Sequence, residues 1–432
     1  MGSIPKSPAD GHVCSLFSTL QKTPPDEPFS VNGAYKKDCS PHKVNLGIGV
    51  YRTPEGNPWP LPVVEEAENQ IHKASDINRH EYSAIQGDAE FLDLAADLAF
   101  GFGEGKQTAV AVAEQERKRV VSIQTVSGTG ANRLGAELLA RNVRPPCVWI
   151  PDPTWANHYA IWELAGVPHK SYPYYDASRK SFNFEGTFCT LEESASEKDV
   201  VILHACAHNP TGADPTQEQW KMLARLCKDK GLIPFFDLAY QGFASGDAKK
   251  DAWAIRHFFY EAQKVEFCVA QSFSKNFGLY GQRVGALHVV LSSTATEEVS
   301  DKVLSNLCHL VRGEYSMAPR GGAEIVKRVL GNDKLRKKWQ EDLTTMSQRI
   351  QQMRHALFNE LSRLNTPGEW THVINQIGMF SYIGLTEHQV KIMTEKHHIY
   401  MLKSGRISIS GLNQHNVRYV AMAIDDVVRN VK

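Results

Sequence analysis

The sequence predicts an α/β protein with two parts. One is a large domain with a mostly parallel central sheet flanked by helices, and the other is a smaller α/β domain. Short apolar runs alternate with helical patterns between about residues 60 and 330, and a long helical pattern follows, with apolar residues every three or four positions from Leu335 to Leu361. Such alternation is typical of parallel sheets covered by helices. We expect the long helix to link the two domains.

Five runs rich in β-branched or other apolar residues are the predicted strands, and clusters of Gly, Asn, Asp or Ser follow several of them. These runs are Arg119–Val126, Val200–Cys206, Leu232–Phe236, Glu266–Gln271 and Val284–Leu291. One intervening helix is predicted over Gln217–Lys230, because Pro215 precedes it and Gly231 follows it. Its apolar face contains Trp220, Leu223, Leu226 and Cys227.

The predicted division of the chain follows from these elements. The residues after the long helix include a strand-like Met379–Ile383 and a closing helix near Asn416–Val431, and they are too few to bury a large core alone. We therefore expect them to pack with the N-terminal segment. The predicted parts are an N-terminal arm (1–24), the N-terminal part of the small domain (25–60), the large domain (61–335), and the C-terminal small domain with the linking helix (336–432).

Bulk composition excludes several functional classes. Of 432 residues, 42% are hydrophobic and 22% charged, which is typical of a globular protein. Lys+Arg and Asp+Glu are equal at 48 each, so no net field favours nucleic acid. No stretch approaches the ~20 apolar residues that span a bilayer. We therefore expect neither a nucleic-acid nor a membrane partner.

The cysteines and the N-terminal residues favour the cytoplasm. The eight cysteines are scattered without C-x-x-C pairs, which predicts reduced thiols and no bound metal. Residues 1–18 lack the apolar core of a signal peptide and the Arg-rich character of a transit peptide. We therefore expect a cytoplasmic protein.

Two polar clusters follow predicted strands, and the first of them could bind an anion. Ser127-Gly128-Thr129-Gly130 precedes a helical run, and the free N–H groups at a helix start attract negative charge. Taken alone, this cluster is more often a turn that starts a helix. The second cluster, His208–Gly212, could equally be a simple Pro/Gly turn.

Two further clusters carry ionisable groups. Asp237 ends an apolar strand, where an unpaired carboxylate is costly, so it needs a partner or serves as a helix cap or core ion pair. Lys275 lies among hydroxyls and small residues in Ser272–Asn276, a setting in which an amine can become a nucleophile, although most lysines are simply solvated. Together the four clusters fit pyridoxal phosphate, which has a phosphate, a basic ring nitrogen and an aldehyde.

The chain resembles the aspartate aminotransferases over roughly residues 25–430. The segment from Gln271 through Gly285 resembles their cofactor-lysine signature. The likeness continues, in order, through VNLGIGVYR (44–52), HEY (80–82), SGTG (127–130), PTWANH (153–158), HACAHNPTG (204–212), FDLAYQGFASGD (236–247) and KSGR (403–406). It implies a dimeric, two-domain, pyridoxal-phosphate-dependent class-I aminotransferase of fold type I, of the cytoplasmic kind.

The resemblance implies roles for the residues around the cofactor ring. Lys275 would form the internal aldimine and then move the proton at the substrate's α-carbon, with Asp237 and Tyr240 as the other catalytic residues. Asp237 would keep the ring nitrogen protonated, Asn209 and Tyr240 would hydrogen-bond the phenolic oxygen, and Trp155 would stack on the ring. The phosphate would be held by Ser127, Gly128, Thr129, Ser272, Arg283 and, from the other subunit, Tyr82.

The resemblance also implies the substrate. Arg406 would bind the α-carboxylate by a planar two-point contact beside Gly49, Trp155 and Asn209. Arg312, donated across the dimer, would bind the side-chain carboxylate of aspartate or glutamate. The implied reaction transfers the amino group between L-aspartate and 2-oxoglutarate, giving oxaloacetate and L-glutamate by a ping-pong cycle through pyridoxamine phosphate.

Three departures from the family pattern and two alternative functions stay open. Met317 stands where the family usually has Asn, Gln282 where Glu is usual, and Leu238 where a small hydroxyl residue is common. An aromatic or broad-specificity aminotransferase would differ only around Arg312. A catalytically idle relative used as a binding or structural protein is disfavoured, because Lys275, Asp237, Tyr240 and Arg406 are all present.

Overall fold

The computed structural model describes residues 15–74, 80–103, 109–262 and 264–431, so positions 1–14 of the predicted arm lie outside the described residues. The helices are α1 (Glu27–Lys37), α2 (Pro62–Lys73), α3 (Ala89–Phe100), α4 (Ala109–Arg117), α5 (Ser127–Asn142), α6 (Asn157–Leu164), α7 (Phe184–Ser194), α8 (Gln217–Lys230), α9 (Ala248–Asp251), α10 (Trp253–Glu261), α11 (Glu297–Glu314), α12 (Arg320–Leu330), α13 (Asp333–Arg363), α14 (His372–Asn375), α15 (Glu387–Glu395) and α16 (Val417–Asn430). The strands are β1 (Val44–Asn45), β2 (Val120–Val126), β3 (Val148–Asp152), β4 (His169–Pro173), β5 (Tyr175–Asp176), β6 (Ser181–Phe182), β7 (Val200–His204), β8 (Ile233–Leu238), β9 (Phe267–Ser272), β10 (Val284–Val290), β11 (Phe380–Tyr382), β12 (Ile399–Tyr400) and β13 (Arg406–Ser408).

The central sheet is mostly parallel, as predicted. Within the described ranges it has seven strands in the order β2-β10-β9-β8-β7-β3-β4. Only β10 runs against its neighbours β2 and β9, while the other pairs are parallel. All five predicted strands belong to this sheet, with ends that shift by one or two residues.

Two strands of the sheet, β3 and β4, were not predicted. The sequence of β3 contains Pro151, which argues against a central strand. The edge strand β4 reads His-Lys-Ser-Tyr-Pro and has no apolar run, because most of its side chains are exposed. The proline therefore hides the short apolar run of β3, and β4 lacks such a run altogether.

Helices cover both faces of the sheet, as adjacent residues of β8 illustrate. A β-carbon added to Gly135 of α5 would lie 2.6 Å from the ring of Phe235, so glycine lets this helix approach the strand closely. The next residue, Phe236, faces the other way and packs 6.0 Å from Trp220 of α8. Both phenylalanines are fully buried, and this two-sided burial stabilises the sheet.

Helix α8 has the predicted bounds and the predicted buried face. Thr216 and Gln219 form a capping box at its start, which satisfies free N–H groups there. Gly231 ends the helix in the left-handed conformation, with φ 63°, where a residue without a side chain is favoured.

The C-terminal residues pack with the N-terminal segment, as predicted. Strand β1 pairs in parallel with β12, so that Val44 lies opposite Ile399. Helix α16 packs on α13, which ends at Arg363, four residues before the predicted stop at Pro367. The domain boundaries themselves stay a prediction.

The helices within the described ranges give no candidate for a membrane span, since none is both long and apolar enough.

Candidate active site

The predicted polar clusters meet at one edge of the central sheet. Strands β7, β8 and β9 are parallel, so their carboxyl ends lie together. Asp237 lies at the end of β8, and Lys275 follows β9 by three residues. Ser127 directly follows β2, which runs in the same direction as β9. Ligands of open α/β sheets bind at this edge.

Lys275 lies partly buried beside Tyr240. Its Nζ atom is 5.2 Å from the centroid of the tyrosine ring. Burial lowers the pKa of Lys275 below its ordinary value, since the attraction of Asp237 only partly opposes burial and Arg283 adds repulsion. A lowered pKa makes the neutral, nucleophilic amine more available.

Asp237 is buried and has a hydrogen-bond partner. Its Oδ2 atom lies 3.2 Å from Nε2 of His158. Burial alone would raise the pKa of Asp237, but the hydrogen bond to His158 and the attraction of nearby groups, Lys275 among them, outweigh it, so the pKa lies below the ordinary value. The carboxylate is therefore ionised and can hold a proton on a basic nitrogen.

A chain of buried and partly buried side chains supports Asp237. Thr154 Oγ1 lies 2.9 Å from Nδ1 of His158 and 3.2 Å from Nε2 of His204. Burial lowers the pKa of His204 well below its ordinary value, so this ring is neutral. Trp155 packs edge-on against His158, with ring centroids 5.3 Å apart. The segment PTWANH marked this region in the sequence, but only Trp155 had been given a role.

Hydroxyl groups cluster at the start of α5, where the phosphate was predicted to bind. Ser127 Oγ lies 3.2 Å from Oγ of Ser272 and 2.8 Å from Oγ of Ser274. Arg283 Nη1 lies 3.3 Å from the Ser274 hydroxyl. Ser274 lies within the predicted cluster Ser272–Asn276, but it was not predicted as a site residue. Three hydroxyls, a guanidinium and a helix start form a donor set suited to phosphate.

The backbone at this cluster is tight and partly strained. A β-carbon on Gly128 would lie 2.9 Å from Cβ of Ser272, so a larger residue does not fit. Ser127 and Arg283 both adopt positive φ, at 61° and 55°. Non-glycine residues rarely adopt this conformation outside functional sites and tight turns. Thr129 lies in the first turn of α5 beside them.

Arg406 is a buried cation with an unpartnered donor. It is 5% exposed, its Nη1 donates to Asn209 Oδ1 at 3.2 Å, and its Nη2 donates to the Gly47 carbonyl at 2.6 Å. Its Nε has no hydrogen-bond partner. Burial lowers the pKa of Arg406 to about 10, which still leaves it charged at neutral pH. No ion pair joins Arg406 to a carboxylate in the described ranges.

Phe380 forms one wall beside Arg406. The Arg406 guanidinium carbon lies 4.1 Å from the centroid of the Phe380 ring, and the Tyr240 ring meets the same ring edge-on at 6.2 Å. A β-carbon on Gly49 would lie 2.7 Å from Cζ of Phe380, which explains the glycine there. Phe380 was not predicted as a site residue, because an apolar residue in a predicted strand is normally part of the core.

Tyr82 and Arg312 lie apart from the cluster in the single chain. Tyr82 is 87% exposed, and Arg312 is exposed and donates to the Ser316 hydroxyl. No hydrogen bond, ion pair or ring contact of the described residues joins either one to the cluster. The two segments are adjacent, since the Ser83 N–H lies 3.2 Å from the sulfur of Met317. Their predicted action in a second subunit stays a prediction.

A cavity of about 810 Å³ lies elsewhere, near Leu139, Ile233 and Val303. Ile233 begins β8, so this cavity is at the opposite edge of the sheet from Asp237. None of the predicted site residues lines it, and its size alone does not make it the active site.

Comparison with known proteins agrees with this geometry. Residues 41–424 match the sequence model of the family described as aminotransferase class I and II. An L-tyrosine:2-oxoglutarate aminotransferase of Aspergillus ustus is 53% identical, over 95% of this chain and 78% of its own length. The cytoplasmic aspartate aminotransferase of Caenorhabditis elegans is 46% identical, over 97% of this chain and 99% of its own.

Solved structures are similar over nearly the whole chain. The cytoplasmic aspartate aminotransferase of Saccharomyces cerevisiae superposes with a TM-score of 0.92 at 43% identity, covering 97% of this chain and all of that one. The aromatic-amino-acid aminotransferase of Burkholderia pseudomallei, solved covalently bound to pyridoxal phosphate, gives 0.89 at 37% identity, covering 96% and 100%. The chain belongs to the class I and II aminotransferases.

Proposed function

We propose that the protein transfers the amino group between L-aspartate and 2-oxoglutarate, giving oxaloacetate and L-glutamate. The observation that carries this proposal is the buried Arg406, whose Nε lacks a partner. A buried cation without an acidic partner is costly, so a substrate carboxylate is the natural complement. Tyr240 links the two groups, since its ring lies 5.2 Å from Nζ of Lys275, the proposed nucleophile, and 6.2 Å from the Phe380 ring that Arg406 covers.

The residues at the sheet edge fit pyridoxal phosphate. The hydroxyls of Ser127, Ser272 and Ser274 with Arg283 suit its phosphate, and the ionised Asp237 suits its ring nitrogen. When bound, this cofactor supplies an aldehyde that reacts with amines and a ring that accepts electrons. The related Burkholderia pseudomallei structure, which contains the cofactor, supports the assignment.

Lys275 performs the acid–base chemistry in this proposal. Its lowered pKa favours the neutral amine, which would hold the cofactor through its aldehyde and, once free, would take the proton from the α-carbon of the substrate. Asp237 would hold a proton on the ring nitrogen, and the hydrogen bonds of His158 and Thr154 keep its carboxylate in place. Tyr240 and Asn209 would hydrogen-bond the phenolic oxygen of the cofactor, and Trp155 would stack on its ring.

Two subunits complete each site in this proposal. Tyr82 reaches the phosphate, and Arg312 binds the substrate's side-chain carboxylate, each in the active site of the partner subunit. Both side chains are exposed in the single chain and belong to adjacent segments, as one shared interface requires. The protein is therefore proposed to be a homodimer. Its two cytoplasmic relatives support the cytoplasm as its compartment.

The proposal also divides the chain at the predicted boundaries. The large domain (61–335) supplies Lys275 and Asp237, and the small domain (25–60 with 336–432) supplies Gly49 and Arg406. The substrate then binds between the two, so their relative position controls access to the site.

A second candidate function is transfer from an aromatic amino donor to 2-oxoglutarate. The name of the Aspergillus ustus relative, which specifies tyrosine as the amino donor, favours it. Met317, an apolar residue near Arg312 in the sequence, favours it as well. The acceptor is the same in both candidates, so only the amino donor separates them.

A donor comparison tests the proposal. Purified holoenzyme is assayed with 2-oxoglutarate and either aspartate, phenylalanine or tyrosine, and kcat/KM is measured for each. We expect aspartate to be preferred by at least tenfold, since two arginines bind its two carboxylates. A preference for phenylalanine or tyrosine would contradict the aspartate assignment and support the second candidate.

A further inference from the structure

Arg354 is a buried arginine that has no direct role in the proposed active site. It lies in the C-terminal half of α13 and is only 2% exposed. None of the carboxylates in the described ranges forms an ion pair with it, and its Nε lacks a partner. Burial lowers the pKa of Arg354 to about 9, so the side chain remains a cation at neutral pH. A buried cation without an acid destabilises a fold unless its hydrogen bonds compensate.

Arg354 donates to three carbonyl oxygens of one short segment, residues 373–380. Its Nη1 donates to Val373 O at 2.8 Å. Its Nη2 donates to Gly378 O at 2.9 Å and to Phe380 O. The planar guanidinium is suited to this arrangement, whereas the single ammonium of lysine cannot reproduce it.

The same segment contacts the turn that carries Asn209. The Ile377 N–H donates to Gly212 O at 2.8 Å. A β-carbon on Gly212 would lie 2.8 Å from the carbonyl oxygens of Ile377 and Phe380, so the two segments are in close contact. Movement of residues 373–380 would therefore disturb the turn after β7.

Phe380, at the end of the segment, contacts three predicted site residues. Its ring lies under the Arg406 guanidinium, edge-on to Tyr240 and against the backbone of Gly49. Arg354 donates to the backbone carbonyl of this same residue. A shift in the Phe380 backbone would therefore displace the ring against which the Arg406 guanidinium lies.

We propose that Arg354 is a positioning residue for carboxylate binding. Its hydrogen bonds to residues 373–380 fix Phe380, and Phe380 fixes the orientation of the Arg406 guanidinium. The inference rests on the proposed function for the role of Arg406. Arg354 touches neither Lys275 nor Asp237 through any contact described, so we expect its loss to affect substrate binding and leave the acid–base groups unchanged.

The test compares Arg354→Lys with Arg363→Lys in the holoenzyme. Arg363 lies on the same helix but is exposed and pairs with Glu360. Binding of succinate, an unreactive dicarboxylate, is measured by calorimetry. Arg354→Lys is expected to raise Kd about five- to tenfold, as the loss of one or two hydrogen bonds implies. Arg363→Lys should leave Kd unchanged. A lower Tm with unchanged Kd in Arg354→Lys would overturn the proposal and leave only a structural role.

A double-mutant cycle with Phe380→Leu tests the route. If Arg354 acts through Phe380, the combined variant should weaken succinate binding less than the product of the two single effects, whereas independent effects would contradict the route. If Arg354→Lys does not fold, Phe380→Leu alone decides: an unchanged Kd overturns the proposal, and a raised Kd supports it. Wild-type protein that does not bind succinate would instead refute the proposed function, and this inference with it.

Discussion

The Nε2 atom of His158 lies 3.2 Å from Oδ2 of the buried Asp237. Burial raises the pKa of Asp237, but the hydrogen bond to His158 and other neighbours together lower it by more, so the pKa in the folded protein lies below the ordinary 3.8. The ionised carboxylate therefore stabilises the fold. That contribution is present above the unfolded pKa and is lost as pH falls through the lowered folded value.

His158→Phe removes this hydrogen bond, so burial destabilises the ionised Asp237 carboxylate with less compensation. We expect the free energy of unfolding of the apoprotein to fall by about 1.5–3 kcal/mol at neutral pH. The difference from wild type should shrink as pH falls below the ordinary pKa of Asp237. The measurement is denaturant unfolding at several pH values, with His169→Phe as control, since His169 is partly exposed and pairs with Glu163. A difference that does not change with pH would count against a stabilising role of the ionised Asp237 carboxylate.

Lys275→Ala tests the proposed nucleophile. Because Lys275 supplies both the covalent bond to the cofactor and the proton transfer, kcat should fall by at least about 10²- to 10⁴-fold. Exogenous methylamine should restore part of the proton transfer. Lys221→Ala is the control, since Lys221 lies on α8 and pairs with Glu218. Activity near the wild-type level in Lys275→Ala would exclude Lys275 as the catalytic amine.

Arg312→Leu tests substrate selection. Leaving the side-chain carboxylate of aspartate unpaired should lower kcat/KM for aspartate by roughly 30- to 4,000-fold, equivalent to about 2–5 kcal/mol. The value for phenylalanine should stay the same or rise, because phenylalanine lacks that carboxylate. The exposed Arg418 provides a control as Arg418→Leu. Equal losses for both donors would show that Arg312 does not select the substrate.

Mixed dimers test whether the site is shared. Lys275→Ala and Arg312→Leu subunits are each expected to give nearly inactive homodimers toward aspartate. In a mixed dimer, one site combines an intact Lys275 with an intact Arg312 from the other subunit. Mixing after mild denaturation and refolding should therefore restore up to about one quarter of wild-type activity, because half of the dimers are mixed and each has one intact site. No recovery would place Arg312 in the active site of its own subunit.

Much of the fold was predictable because its signals are local. Helix α8 has a capping box, an amphipathic face and a stop glycine, and its predicted bounds are those observed. Strands β7 and β9 are continuous apolar runs and were also identified. The edge strand β4 lacks such a pattern, since its pairing with β3 is decided by the rest of the sheet.

The residues of the candidate site were likewise predictable only in part. Lys275, Asp237 and Ser127 were predicted because polar residues that follow apolar strands are conspicuous in a sequence. His158 and Phe380 were missed, because a histidine in a helix and a phenylalanine in a strand have the same local appearance as ordinary core residues. Their importance depends on contacts with residues 79 and 26 positions distant, Asp237 and Arg406.

The most direct measurement is the absorbance spectrum of the purified protein with bound pyridoxal phosphate, before and after addition of aspartate alone. We predict that the band of the Lys275-bound cofactor converts to that of the aminated cofactor, and that 2-oxoglutarate restores the original band. A spectrum that aspartate leaves unchanged would contradict the proposed amino transfer, even if the cofactor is bound.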